Sequence, residues 1–271
     1  MSPASSITGR TRLYAIVGDP IEQVRSPQVY CEAFANAGVD AVLVPMHIAS
    51  GEIHEVLPAL LKLKNLDGVL VTAPFKADAR AIAAEVHPRA RRVGAVNALR
   101  RGADGRWFGD MFDGEGFVRG IFAHGHAVKG RRALVLGCGG AGAAIAGALI
   151  DAGVGALTLF DPDEHRARNV AQRLSNDAGA CEVVAGSADA AGKDLIVNAS
   201  VVGMRDSDGL PAELGPLAAD VLVGDVVLRP ADHPTALIRH AKQSGCPVVT
   251  GTDMHTGQIA AILDFFGIRA A

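Results

Sequence analysis

A chain of 271 residues with 49% hydrophobic, 20% charged and 4% aromatic residues can build a large core in one or two domains, and its composition excludes disorder. Its net charge of −3 supplies no overall attraction to nucleic acid or an anionic membrane, and the scarcity of aromatics argues against a base-stacking surface. The first ten residues lack the apolar run of a signal peptide and no window reaches transmembrane length. Cys31, Cys138, Cys181 and Cys246 are too scattered for a C-x-x-C metal site or a dense disulfide framework, so the chain reads as cytoplasmic and metal-free.

Leu13–Gly18 reads as a first buried strand. Ser26-Pro27 then opens a helix, with Ser26 as N-cap, Pro27 in the first turn and Gly38 at the end. Ala41–Pro45 is a second strand. Ser50 is positioned to cap a helix reaching Leu61, inside which Pro58 predicts a kink or an early break. Gly68–Thr72 is a third strand, followed by a helix near Asp78–Val86. The basic cluster Arg89, Arg91, Arg92 reads as a solvated face, and Asp104-Gly105 between two apolar runs marks a hairpin. Asp113-Gly114 starts a linking helix.

Arg132–Asp161 carries the strongest pattern. A short apolar strand, Arg132–Leu136, runs into Gly137-Cys138-Gly139-Gly140-Ala141-Gly142, a G-x-G-x-x-G turn. In such a turn the first glycine allows the bend, the second close backbone approach, and the third helix–strand packing. The N-terminal N–H groups of the following helix, including those of Gly140 and Ala141, would face a pyrophosphate. Cys138 reads as a small residue that fits the loop, with a thiol activated by the helix N-terminus as the alternative. A second strand, Ala156–Phe160, ends at Asp161, where a carboxylate would meet a ribose hydroxyl. Further strands at Cys181–Val184, Leu195–Asn198, Val221–Val227 and Pro247–Val249 bring the sheet to six, with helices at Asp163–Ser175 and from Pro234 to Gln243. A last amphipathic helix, Ile259–Phe266, is left over and is expected to return to the N-terminal part.

Val71-Thr72-Ala73-Pro74-Phe75-Lys76 brings a hydroxyl and an ammonium to one sheet end, Gly94-Ala95-Val96-Asn97 adds an amide, and Gly109–Gly114 adds carboxylates. Small polar groups at loop ends suit a polyhydroxylated ligand. These stretches, with Ser26-Pro27, Asn198-Ala199-Ser200-Val201-Val202-Gly203-Met204, Asp225 with Thr235, and Gly251-x-x-Met254-x-x-x-Gln258, resemble in order the motifs of the shikimate/quinate dehydrogenase family. The resemblance implies two α/β domains: residues 1–112, rejoined by 250–271, binding substrate, and a Rossmann dinucleotide-binding domain over 113–249. It implies Lys76 and Asp113 as the catalytic pair, one taking the hydroxyl proton while the other orients it. Ser26, Thr72, Asn97 and Gln258 match substrate-binding positions. Gly137, Gly139, Gly140, Ala141, Gly142, Asp161, Asn198, Ser200 and Gly251 match cofactor-binding ones. The implied ligand is a hydroxylated ring carboxylate, and the implied assembly a monomer or homodimer.

The departures concern recognition. Val24, Leu70, Met111 and Leu228 stand where the family pattern has polar side chains, and His255 where leucine is common. Leaving a charged carboxylate one hydrogen bond short costs on the order of 1.5–3 kcal/mol, so shikimate, quinate and an aminoshikimate all remain open. A non-catalytic, NAD-binding regulatory homologue is the rival of different class, and a folate dehydrogenase a weaker one. For the cofactor, Phe160-Asp161-Pro162 stands where biosynthetic relatives carry Asn-Arg-Thr, whose arginine meets the 2′-phosphate of NADP. A carboxylate ~4 Å from that phosphate, at an effective dielectric near 20, is opposed by about 4 kcal/mol per charge pair. The expectation is NAD, with Arg166 and Arg168 as the groups able to soften the repulsion. NAD in turn fits a catabolic or side-pathway role better than the family's part in aromatic amino acid biosynthesis.

Overall fold

The computed structural model describes residues 7–268. It divides into two compact units, one formed by the chain up to Phe112 together with the segment from Ile259 onward, the other by Asp113–Gln258.

In the first unit the chain runs β1 (Arg12–Gly18), α1 (Ser26–Asn36), β2 (Ala41–His47), α2 (Ile53–Leu60), β3 (Leu66–Val71), α3 (Lys76–Ile82), β4 (Glu85–Val86), α4 (Pro88–Val93), β5 (Ala98–Arg101) and β6 (Trp107–Asp110). The sheet order is β2-β1-β3-β5-β6-β4. β1, β2 and β3 are parallel, and the β5–β6 hairpin adds antiparallel to β3. The hairpin turns at Gly105, whose φ of +80° suits glycine. Tyr14 on β1 packs its ring 4.7 Å from Phe34 of α1 and 5.0 Å from Phe266. Gly68 lets these rings close on the sheet, since a Cβ there would lie 2.7 Å from both Tyr14 and Phe266.

Four local expectations are corrected. Ser26 is not an N-cap: Arg25 holds that position, no side chain caps the helix, and Ser26 is buried as its first residue. Ser50 does not cap α2, whose N-cap is Glu52. Its hydroxyl and backbone N–H go to Asp19 instead, at 2.6 and 3.0 Å. Pro58 does not break α2, which continues to Leu60 and gives up one hydrogen bond where the proline has no N–H. The helix expected near Asp78–Val86 starts earlier, at Lys76, and ends at Ile82.

The second unit contains α5 (Asp113–Ala123), β7 (Arg132–Leu136), α6 (Gly140–Asp151), β8 (Ala156–Phe160), α7 (Glu164–Ser175), β9 (Glu182–Ala185), β10 (Leu195–Asn198), β11 (Leu222–Asp225), α8 (Ala236–Gln243), β12 (Val248–Thr250) and the first part of α9 (Gly251–Phe265). Its strands run β12-β11-β10-β7-β8-β9, all parallel. In chain order this is the 3-2-1-4-5-6 arrangement, with its switch point between β7 and β10. β7, β10 and β11 are buried almost throughout, which explains their continuous apolar runs. The boundary between the units falls inside α9 and not before it, because one uninterrupted helix carries the chain from Gly251 to Phe265.

Candidate active site

The loop after β7 lies at the switch point. Gly137 has φ +98°, and a Cβ there would stand 2.8 Å from the backbone nitrogen of Ser200. At Gly142 a Cβ would stand 1.9 Å from the carbonyl oxygen of Gly137, so the helix can begin this close to the turn only without a side chain. Gly139 is the N-cap of α6 and offers no side-chain cap. Nothing lies within 4 Å of where its Cβ would be. Uncapped N–H groups at a helix start, open space over the capping glycine and a positive helix dipole fit the phosphates of a dinucleotide. The thiol of Cys138 in this loop is not activated: burial, with the nearby Asp161 carboxylate, pushes its pKa up to about 12.

Asp161, at the end of β8, is buried at 6% exposure. One carboxylate oxygen accepts the Cys138 N–H at 2.8 Å and the other the Asp163 N–H at 2.9 Å. The carboxylate therefore braces the glycine loop against its own strand end. Arg166 stands over it at 3.4 Å, with a side chain 54% exposed. Asp163 caps α7 by accepting the N–H groups of His165 and Arg166 at 3.1 and 3.2 Å, which turns the first helical turn, and Arg166 with it, toward Asp161.

At the end of β10, Asn198 accepts the N–H and hydroxyl of Ser200 at 3.1 and 2.7 Å. Gly251, where α9 begins, abuts the loop after β11: its Cβ would lie 2.5 Å from the carbonyl oxygen of Val226. Asp113, the first residue of α5, is buried at 2% exposure. Gly114 seats that helix, since a Cβ there would lie 2.1 Å from the Ala144 carbonyl of α6. The helix carrying Asp113 and the helix behind the glycine loop are thus locked together. Gln258 is buried, and its backbone packs against Gly116 of α5.

The first unit gathers the remaining candidates at one end of its sheet. Thr72 follows β3, and its methyl fills the space that a Cβ on Gly18 would occupy, at 2.3 Å. Lys76 opens α3 and its carbonyl accepts the Val96 N–H at 2.8 Å, tying it to the segment that carries Asn97. Asn97 is buried, and its side-chain oxygen accepts the Phe112 N–H at 2.9 Å, immediately before Asp113. The basic cluster is not a wholly solvated face. Arg89 makes a two-point pair with the buried Asp110, both bonds 2.8 Å, and lies 4.4 Å over the Phe112 ring. Sequence reading missed this brace because its partners lie 21 residues apart and their charges signal only surface. Leu70, Met111 and Phe112 are buried, and Val24 packs against the apolar cluster that contains Leu70 and Phe112.

Among the described residues no group of acidic, histidine or cysteine side chains is placed to hold a metal, and no helix is long and apolar enough to cross a membrane.

Comparison with known proteins defines the class. Residues 16–99 match the shikimate dehydrogenase substrate binding domain. The shikimate dehydrogenase (NADP(+)) of Rhodospirillum rubrum is 36% identical over 266 residues, covering 93% of this chain and 91% of its own. That of Rubrobacter xylanophilus, with the same name, is 37% identical over 248 residues, covering 90% and 87%. The fold matches the crystal structure of shikimate 5-dehydrogenase from Listeria monocytogenes in complex with shikimate and NAD, with TM-score 0.84, 27% identity and coverage of 98% and 94%. The chain belongs to the shikimate dehydrogenase family.

These relatives correct the cofactor expectation. The Rhodospirillum rubrum and Rubrobacter xylanophilus enzymes are named for NADP(+). The physical reason lies in Asp161, whose carboxylate the sequence argument treated as presented to the ligand. Each of its oxygens accepts a backbone N–H, and an exposed guanidinium 3.4 Å away offsets its charge. The preference for a catabolic or side-pathway role rested on NAD alone and goes with it.

Proposed function

We propose that the protein interconverts shikimate and its 3-dehydro ketone with NADP as the redox partner. The observation that carries this reading is the relationship, over nine-tenths of the chain, to enzymes named shikimate dehydrogenase (NADP(+)). When bound, the dinucleotide supplies the acceptor and donor of hydride. The chain's own residues hold the ring and manage the proton. Lys76 takes the proton of the reacting hydroxyl and returns it in the reverse direction, and Asp113 accepts a hydrogen bond from a hydroxyl of the ring. Ser26, Thr72, Asn97 and Gln258 fix the ring through its carboxylate and remaining hydroxyls.

The glycine loop and the start of α6 receive the pyrophosphate, with Ser200 and Gly251 flanking it. Arg166 receives the 2′-phosphate: a guanidinium suits a phosphate geometrically, and its neutralising partner Asp161 is already engaged with backbone. The apolar side chains of Leu70 and Met111 remove hydrogen-bonding capacity from the substrate side. They favour a second reading within the same reaction, a related ring acid such as quinate or an amino analogue.

A panel of shikimate, quinate and aminoshikimate with NADP+ tests both readings, the preferred acid being the one of highest kcat/KM. Tight NADP+ binding with no turnover of any ring acid would instead establish a nucleotide-binding regulatory protein.

A further inference from the structure

Beneath the loops of the dinucleotide-binding unit lies a buried carboxylate to which no role has been assigned. Asp225 ends β11 at 1% exposure. Its Oδ1 accepts the Asn198 amide at 3.0 Å and the Val227 N–H at 3.1 Å, and its Oδ2 accepts the Thr235 hydroxyl at 2.6 Å. Thr235 in turn caps α8, accepting the Ile238 N–H at 3.2 Å. Burial pushes the carboxyl up to about 6, and the three hydrogen bonds to Thr235, Val227 and Asn198 work against that rise. All three contacts are donated to the carboxyl, which acts as the acceptor at both oxygens.

An acceptor-only neighbour dictates how an amide must face. Asn198 has to turn its NH2 toward Asp225, where it also reaches the Val202 carbonyl at 2.9 Å. Its oxygen is thereby aimed at the N–H and hydroxyl of Ser200. The backbone of Ser200 is the surface on which the glycine turn rests, because a Cβ at Gly137 would lie 2.8 Å from the Ser200 nitrogen and 2.9 Å from its Cα. On the other side, the Val227 held by Asp225 belongs to the segment that abuts Gly251, where a Cβ would lie 2.5 Å from Val226 O and 2.8 Å from Val227 O. Thr235 closes the arrangement, with its methyl 3.0 Å from where a Cβ on Gly203 would be.

We propose that Asp225 and Thr235 are positioning residues of the dinucleotide site, setting Ser200 and the glycine turn through Asn198, and Gly251 through Val227. One buried carboxylate thus registers three separate loops against each other. The inference rests on reading those loops as the dinucleotide site.

Asp225→Asn keeps the shape but replaces one acceptor oxygen by an NH2, so either the Thr235 hydroxyl must turn to accept from it or the Asn198 amide must flip, and the hold on one side is lost. Thr235→Val removes the hydroxyl, and Thr235→Ser retains it. Titration calorimetry with NADP+ on each folded variant is expected to show Kd raised about tenfold or more for Asp225→Asn and Thr235→Val, with Thr235→Ser close to wild type. KM for the ring acid should stay near its wild-type value. A merely structural role would lower the melting temperature and the binding-competent fraction while leaving Kd and the KM for NADP+ unchanged, and that result would overturn the proposal. Wild-type protein that binds no NADP+ would overturn the dinucleotide reading, and the proposal with it. Binding by wild type with equal Kd in all variants removes the positioning role alone.

Discussion

Single side chains carry the chemistry, and their roles separate experimentally. Lys76→Met should reduce turnover by about two to four orders of magnitude, as expected when a general acid–base group is lost, with the Kd for NADP+ unchanged. A parallel loss of NADP+ affinity would show that Lys76 supports the fold instead. Arg166→Gln should raise KM for NADP+ about ten- to a hundredfold while leaving KM for NAD+ nearly constant, the loss of a charged hydrogen bond being worth about 1.5–3 kcal/mol. Equal effects on both dinucleotides would exclude contact with the 2′-phosphate. Residue type was legible at these positions from sequence; orientation was not. Asp161 reads as a bare carboxylate until the Cys138 and Asp163 N–H groups and the Arg166 guanidinium are seen around it. Ser26 reads as a cap until the helix is seen to begin at it. Neither is decided by identity or spacing: the setting of Asp161 depends on where the Cys138 and Asp163 N–H groups and Arg166 point, and that of Ser26 on which residue starts the helix.

At the scale of elements, glycine contacts set how closely helices approach the strand ends. Gly142→Ala would place a methyl 1.9 Å from the Gly137 carbonyl, an approach that requires the turn or the helix to move. The expected outcome is a loss of about 1–3 kcal/mol of stability, measured by urea unfolding, together with weaker NADP+ binding. Unchanged stability and affinity would mean that the loop is soft. The strand–glycine–helix–strand unit was readable because β7, the G-x-G-x-x-G turn and β8 follow each other locally. The elements that were missed depend on distant partners. α4 is six residues long and rich in arginine, and its anchoring comes from Arg89 on Asp110 of β6. α9 was read only from Ile259, although it starts at Gly251. Its first turns pack on α5 through Gly116 and Gly257, a small-residue contact that leaves no hydrophobic periodicity to detect.

For the whole molecule, the alternation of strands and helices and the six parallel strands of the second sheet were legible in the sequence, whereas substrate identity was not, because Val24, Leu70 and Met111 depart from the motifs on which the resemblance rests. Stability should respond to ligand and to acid. NADP+ at about 100 times its Kd is expected to add about 2.7 kcal/mol to the unfolding free energy, and the absence of any thermal shift would contradict binding to the folded state. Asp194 is held down to about 2 by hydrogen bonds from Arg132. A carboxyl depressed in the folded state adds stability above its unfolded value near 4, and that contribution disappears as pH falls toward 2. Because the pair is partly exposed, at 58% and 37%, the contribution stays below about 1 kcal/mol. Asp194→Asn should therefore lower the melting temperature slightly at pH 7 and not at all once the wild-type carboxyl is protonated; a difference that persists there would assign the effect to packing. The proposed reaction is hydride transfer between a hydroxylated ring acid and NADP. Its most direct test is the initial rate of NADPH formation from shikimate by the purified protein, alongside the same assay with NAD+. Shikimate-dependent reduction is expected with kcat/KM higher for NADP+ than for NAD+, and a rate that is absent with both dinucleotides, or higher with NAD+, would overturn that reaction.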